Sequence, residues 1–224
     1  MIKKVAVLLA GCGSLDGSEI QESVLTLLAI KQNGANYQCF SIDQDQHHVS
    51  NHLLKKFATD KRNILEESAR IARSDIKLLS SFDVDEYDAI IIPGGYGVVY
   101  NFCDFATKVK DFQVRDDIAD ICRNFTKMGK PIGFICIAPI MITKIYQDLV
   151  KIKEQPIKMT MGNNKDFIEI VNSFNMEHIE TDTTNICVDN DYKIVTSPAY
   201  LLDTDISQLY IGINKLVQAV LNLI

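Results

Sequence analysis

The sequence predicts an α/β domain built on a parallel sheet, and three observations carry that prediction. Lys3 to Ala10 and Tyr37 to Ile42 are apolar runs flanking a helix-patterned segment. This strand–helix–strand opening commits a chain to parallel strands with right-handed crossovers. Two more apolar runs, Ala89 to Ile92 and Ile132 to Ile135, each end abruptly in a tight loop, as central strands do at the carboxyl edge of such a sheet. Finally, Ile206, Leu209, Tyr210, Ile213, Leu216, Val217, Val220 and Leu221 hold the i, i+3, i+4, i+7 stripe of a helix laid on its face. A length of 224 residues suits a single domain, 1–224.

Taken in order, the first strand is apolar on both faces, as a central parallel strand should be. Gly11 to Gly17 is a glycine-punctuated loop. Ser18 and Gln21 form a capping box for a helix whose buried face is Ile20, Val24, Leu27 and Leu28, ending near Asn33-Gly34. Asp43 to Asp60 is long for a plain connection and reads as an insertion with short elements of its own. It holds His47, His48 and His52. No carboxylate or cysteine completes a metal set there, so a solvated or capping role is expected. Arg62 to Arg73 is a helix, and Ile76 to Leu79 adds a short edge strand. Asp116 to Met128 is a helix closed by Gly129, with Cys122 on its apolar stripe. Ile157 to Met161 is extended, Asp166 to Phe174 helical. Asn185 to Val188 and Lys193 to Thr196 make a small antiparallel hairpin.

A net charge of −6 and a pI near 5.2 argue against nucleic-acid binding, which needs clustered Lys and Arg. No run of about 18 apolar residues offers a membrane span. Val5 to Ala10 after Lys3-Lys4 imitates a secretion signal ending at Cys12, but is shorter than the apolar core of about 7–15 residues a signal needs. It reads as a strand of a cytoplasmic chain. The six cysteines show no CxxC pair and no zinc spacing, consistent with reduced thiols.

The chemistry points to Pro131-Ile132-Gly133-Phe134-Ile135-Cys136-Ile137-Ala138-Pro139. A buried strand that stops at a cysteine and turns into a helix, here from Ile137 towards Tyr146, makes an elbow. The helix N-terminus would stabilise a thiolate and lower the thiol pKa. Buried free cysteines are also often inert, and these residues alone leave both readings open. Pro93-Gly94-Gly95-Tyr96-Gly97 ends the strand before it. Without a Lys-Ser/Thr ending it is a poor phosphate loop. It is either a plain turn or a source of backbone donors at Gly94 or Gly95 for an oxyanion beside Cys136.

These features, with Gly11-Cys12-Gly13, Asp16-Gly17-Ser18-Glu19-Ile20, Asn51-His52-Leu53 and Thr196-Ser197-Pro198-Ala199-Tyr200, give the whole chain a resemblance to the ElbB (ES-one-like) family of the PfpI/ThiJ, class I glutamine amidotransferase-like superfamily. The resemblance implies a flavodoxin-like, doubly wound sheet with helices on both faces. It implies Cys136 as nucleophile and Glu19 as its acid/base partner, although a first-turn acid also simply complements a helix dipole. Gly94, Gly95 and Ile137 would be oxyanion donors. Cys12, Ser197 and Tyr200 would be supporting residues, Cys12 as a resolving thiol. Hydrolytic relatives pair their cysteine with a histidine, in proteases at the next position; here that position is Ile137, so glutaminase or peptidase chemistry is disfavoured.

The resemblance therefore implies a glyoxalase-type enzyme, needing neither cofactor nor metal, that turns glyoxal or methylglyoxal into hydroxy acids through a Cys136 hemithioacetal. The alternative is an accessory or redox-sensing module linked to isoprenoid biosynthesis. An amidotransferase fragment that needs a synthase partner is a third, weaker reading. A homo-oligomer with no nucleic-acid or membrane partner is expected.

Overall fold

The computed structural model describes residues 2–224. The first half comprises β1 (Lys4–Leu8), α1 (Ile20–Gln32), β2 (Asn36–Ser41), β3 (Val49–Asn51), β4 (Lys56–Ala58), α2 (Ile64–Ile71), β5 (Ile76–Leu78), β6 (Ala89–Ile92) and α3 (Phe105–Lys108). There follow α4 (Asp116–Lys127), β7 (Ile132–Ile135), α5 (Ile142–Ile145), α6 (Gln147–Lys153), β8 (Lys158–Met159) and α7 (Lys165–Ser173). The chain closes with β9 (Glu177–His178), β10 (Cys187–Asp189), β11 (Ile194–Ser197) and α8 (Ile206–Asn222).

Seven strands form one sheet in the order β10-β11-β7-β6-β1-β2-β5. All pairs are parallel except β10–β11, the expected hairpin. This is the flavodoxin-like architecture the sequence implied. Register decides where the site falls. Val7 of β1 lies level with Ile91 of β6, Ile92 with Phe134 of β7, and Ile135 with Ser197 of β11. The carboxyl ends of four strands thus come together, and the loops after them meet at one edge. Val5–Leu8, Ala89–Ile92 and Ile132–Ile135 are all 0–1% exposed, so they read as unbroken apolar runs. Each large side chain so buried contributes roughly 1.5–3 kcal/mol. Gly133 leaves room for Leu216 and Val220 of α8, which a Cβ there would meet at 3.0 and 3.2 Å.

Three local expectations are corrected. α1 is rotated: Leu27 is buried as expected, but Ile20, Val24 and Leu28 are 43–46% exposed, whereas Glu22, Ser23, Thr26, Ala29 and Ile30 are buried. Its N-cap is Glu19, which accepts the Glu22 amide at 2.7 Å; the Ser18 hydroxyl is committed to the Ala10 amide at 2.8 Å. The segment after the elbow starts as a 3-10 turn, Ala138–Met141, before α5. The 43–60 segment does carry short elements of its own, a β3–β4 hairpin; there His47 stacks on Tyr100, and His52 accepts the Leu15 amide at 3.2 Å and packs over Gly13. Among the described residues no helix is long and apolar enough to cross a membrane.

Candidate active site

Cys136 ends β7 with φ +62°, a left-handed conformation that costs a non-glycine residue about 1–3 kcal/mol. The turn is held because the Cys136 amide donates to the Ser197 carbonyl at 2.8 Å, continuing the β7–β11 ladder by one bond. The strain lifts the side chain off the strand and into a cavity of about 430 Å³ at the carboxyl edge of the sheet. Ser14, Glu19, Gly95, Tyr96, Phe105, Phe167 and Tyr200 are among its walls. Cys136 is 7% exposed, so its sulfur is enclosed yet reachable from the cavity.

The acid that meets the sulfur is Glu22, not Glu19. Three residues into α1, on the buried face, the Glu22 carboxyl sits beside the Cys136 thiol: Glu22 Oε2 and the Cys136 Cβ would both crowd a Cβ placed on Gly94, at 2.7 and 2.4 Å, and the two groups shift each other's pKa. The carboxyl accepts the Gly94 amide at 3.0 Å and the Tyr200 amide at 3.3 Å. Glu19 lines the same cavity but its carboxyl is occupied as the α1 cap, the simpler of the two roles its position allowed. The backbone N–H groups of Gly95 and Ile137 lie near enough to the sulfur to favour its charged form, whereas the Gly94 amide is spent on Glu22.

Crowding fixes these positions. A Cβ on Gly94 would lie 2.4 Å from the Cys136 Cβ and 2.7 Å from Glu22 Oε2. One on Gly95, at φ +99°, would meet the Glu19 amide and the Gly17 carbonyl at 2.4 Å. The Glu19 amide in turn donates to the Gly94 carbonyl at 2.9 Å, so the α1 start and the β6 loop are laced together.

Electrostatics reverses the expected thiolate. Burial first, then the neighbouring Glu22 charge, hold the Cys136 thiol well above its ordinary 9. A short 3-10 turn offers too little dipole to offset this. Burial first, then the Glu19 charge, push Glu22 up to about 8. At neutral pH Glu22 keeps its proton most of the time and is a hydrogen-bond donor.

That shift has a consequence for folding. An unfolded Glu22 ionises near 4.5, while the folded one holds its proton to about 8. Between those values the native state carries one proton more, so stability falls as pH rises, by about 1.4 kcal/mol per unit, and levels off above 8. Glu22→Gln is expected to flatten this decline, on the order of 5 kcal/mol across the window. Urea-unfolding curves of both proteins at pH 5 and pH 8.5 check it; parallel losses would contradict the burial of an ionisable Glu22.

The remaining candidates divide. Tyr200 joins the site through its amide and ring. Ser197 contributes its carbonyl; its buried hydroxyl has no hydrogen-bond partner among the described residues. Cys12 lies in another groove, beside Ile20, Val24 and Tyr37, and burial raises its thiol pKa too, which suits a resolving thiol poorly. His178 accepts the Met161 amide in the small β8–β9 sheet, and no histidine is among the residues lining the Cys136 cavity. Glu22 escaped the sequence reading because it sits in the polar part of α1. The small residues beside it, Ser23, Thr26 and Ala29, were the available signal that this face, not the Ile20–Val24–Leu28 face, packs inward.

No family model matches the chain. Relatives do. It is 33% identical over 230 residues to glutamine amidotransferase-like class 1 domain-containing protein 3 of Homo sapiens, covering 98% of this chain and 83% of that one. A solved structure, an isoprenoid biosynthesis protein with an amidotransferase-like domain from Ehrlichia chaffeensis, superimposes with a TM-score of 0.89 at 31% identity, over 99% of this chain and 100% of that one. Glyoxalase III of Candida albicans superimposes at 0.59 with 15% identity over 97% of each chain, a likeness of fold alone. The human relative and the ES1 proteins of Rattus norvegicus and Danio rerio are all named mitochondrial, which overturns the expected cytoplasmic location.

Proposed function

The chain belongs to the ES1 family of glutamine amidotransferase-like class 1 proteins, with the ThiJ/PfpI fold, and from that premise we propose that it converts 1,2-dicarbonyls to hydroxy acids without a cofactor. The observation that carries this reading is Cys136 in the wall of a cavity that no histidine lines, with the buried Glu22 carboxyl beside it. A carboxyl group and a thiol, without an imidazole, suit proton transfer between adjacent carbons better than amide hydrolysis.

The Glu22 carboxylate takes the thiol proton as Sγ bonds to the aldehyde carbon. The carbonyl electron pair becomes an oxyanion facing the Gly95 and Ile137 amides, and Glu22 returns the proton to it, giving a hemithioacetal. Glu22 then removes the hydrogen from that carbon as a proton, forming an enediolate, and delivers it to the neighbouring carbon, while the hemithioacetal hydroxyl proton passes to the neighbouring oxygen. The product is a 2-hydroxy thioester. Water cleaves it, releases the hydroxy acid and restores the thiol; one water is added overall, with no oxidant or reductant.

Because the working base is the carboxylate, kcat/KM for methylglyoxal should rise with pH through about 8 and then level. Glu19→Gln removes a charge that helps raise Glu22, so the midpoint should move down. Cys136→Ala should abolish turnover. A pH-independent rate, or turnover surviving Cys136→Ala, would rule the mechanism out.

The likeness to the Ehrlichia chaffeensis protein supports a second reading, an accessory or redox-sensing role linked to isoprenoid biosynthesis. Mass spectrometry after mild peroxide separates the two. Selective oxidation of Cys136 with negligible turnover favours the sensor. A thiol held protonated by burial speaks against the sensor, since it is the thiolate that attacks peroxide.

A further inference from the structure

We propose that the Cys136 cavity takes a neutral, ring-sized 1,2-dicarbonyl and turns away anionic ones, with Glu19 as the residue that enforces the charge preference. This rests on the reaction proposed above. Size is the first argument. The cavity measures about 430 Å³, within the range of sites that enclose ring-bearing ligands. Glyoxal has the bulk of only a few waters at ~30 Å³ each, and would leave most of that space unfilled.

The walls are the second argument. Val99, Phe105, Ala106, Ile137, Phe167 and Leu201 present hydrocarbon around the sulfur. An aryl or branched alkyl group on the ketone carbon would bury against them while its aldehyde carbon reached Sγ, whereas a methyl group touches few of them at once.

Charge is the third. Among the described residues lining the cavity there is no Lys, Arg or His; the ionisable carboxyl in its wall is Glu19, with Glu22 behind the sulfur. A carboxylate- or phosphate-bearing substrate would leave water for apolar walls and two carboxyl groups, with no cation to pair with. Glu19 is fixed there by its bond to the Glu22 amide, so it cannot swing away without uncapping α1.

Alkylation tests the cavity without needing turnover. Phenacyl bromide and 4-carboxyphenacyl bromide share one reaction: the sulfur displaces bromide, forming an S–C bond and releasing a proton and bromide. Their rates at the Cys136 peptide, read by mass spectrometry and each divided by the rate with free glutathione, should favour the neutral reagent by about tenfold or more, corresponding to about 1.4 kcal/mol. Glu19→Gln should narrow that gap and Phe167→Ala should slow the neutral reagent. Equal normalised rates, or no labelling by either reagent, would overturn the assignment. In turnover, phenylglyoxal should exceed methylglyoxal in kcat/KM by at least about tenfold. Selective labelling with no turnover of any oxoaldehyde removes the reaction and leaves the cavity assignment. Turnover with no preference in either assay does the reverse.

Discussion

Glu22→Gln is expected to lower dicarbonyl turnover by about 10²- to 10⁴-fold, the usual contribution of a positioned acid/base. The amide is nearly the same size and can still accept one of the two backbone bonds from Gly94 and Tyr200. It cannot take a proton from Cys136 or from carbon. Glu19→Gln acts differently: it keeps an oxygen to cap the Glu22 amide and should show its main effect in the pH midpoint. Steady-state rates at pH 7 and pH 9 distinguish the two. If Glu19→Gln loses the rate and Glu22→Gln keeps it, the carboxyl assigned here is the wrong one.

Gly94→Ala should be among the most damaging single methyls in the site, and the one aimed directly at the sulfur and its carboxyl neighbour. Its Cβ would overlap Cys136 Cβ at 2.4 Å, Glu22 Oε2 at 2.7 Å and the Ile135 carbonyl at 2.9 Å. Two of those atoms belong to or adjoin the backbone of the elbow and cannot step aside. Overpacking of this kind costs about 1–3 kcal/mol, and more where nothing yields. In a chain of this length that is a fall of roughly 2–4 °C in Tm per kcal/mol. Turnover should vanish as well, because sulfur, carboxyl and loop are displaced together. Gly129→Ala is the comparison: its φ is +66° but nothing lies within 4 Å, so it should cost about 1–2 kcal/mol of backbone strain and leave turnover intact. Melting curves and rates for both variants check this; an active Gly94→Ala protein would mean the loop is looser than drawn.

These two glycines also show what could and could not be read from residues alone. β1, β6, β7 and α8 were legible because burial on every side writes itself as an apolar run or stripe. The turn at Cys136 was legible because an apolar run stops there at a cysteine followed by Ile137-Ala138-Pro139. The acid was not. Rules of periodicity assume that apolar side chains point inward, yet α1 turns Glu22, Ser23 and Thr26 inward and leaves Ile20, Val24 and Leu28 at 43–46% exposure. A site is where that assumption fails, since its polar groups must be buried to be useful. The thiol's protonation was also out of reach: a motif gives the neighbour but not the degree of enclosure, and enclosure is the larger effect here.

The left-handed backbone at Cys136 carries one more implication. Three small side chains, those of cysteine, serine and threonine, carry a hydroxyl or thiol able to attack a carbonyl, but threonine is branched at Cβ and is a steric outlier at φ +62°. The bend therefore admits cysteine or serine and shuts threonine out, whatever reaction the pocket runs. Backbone sterics restrict the choice of attacking atom before any substrate arrives.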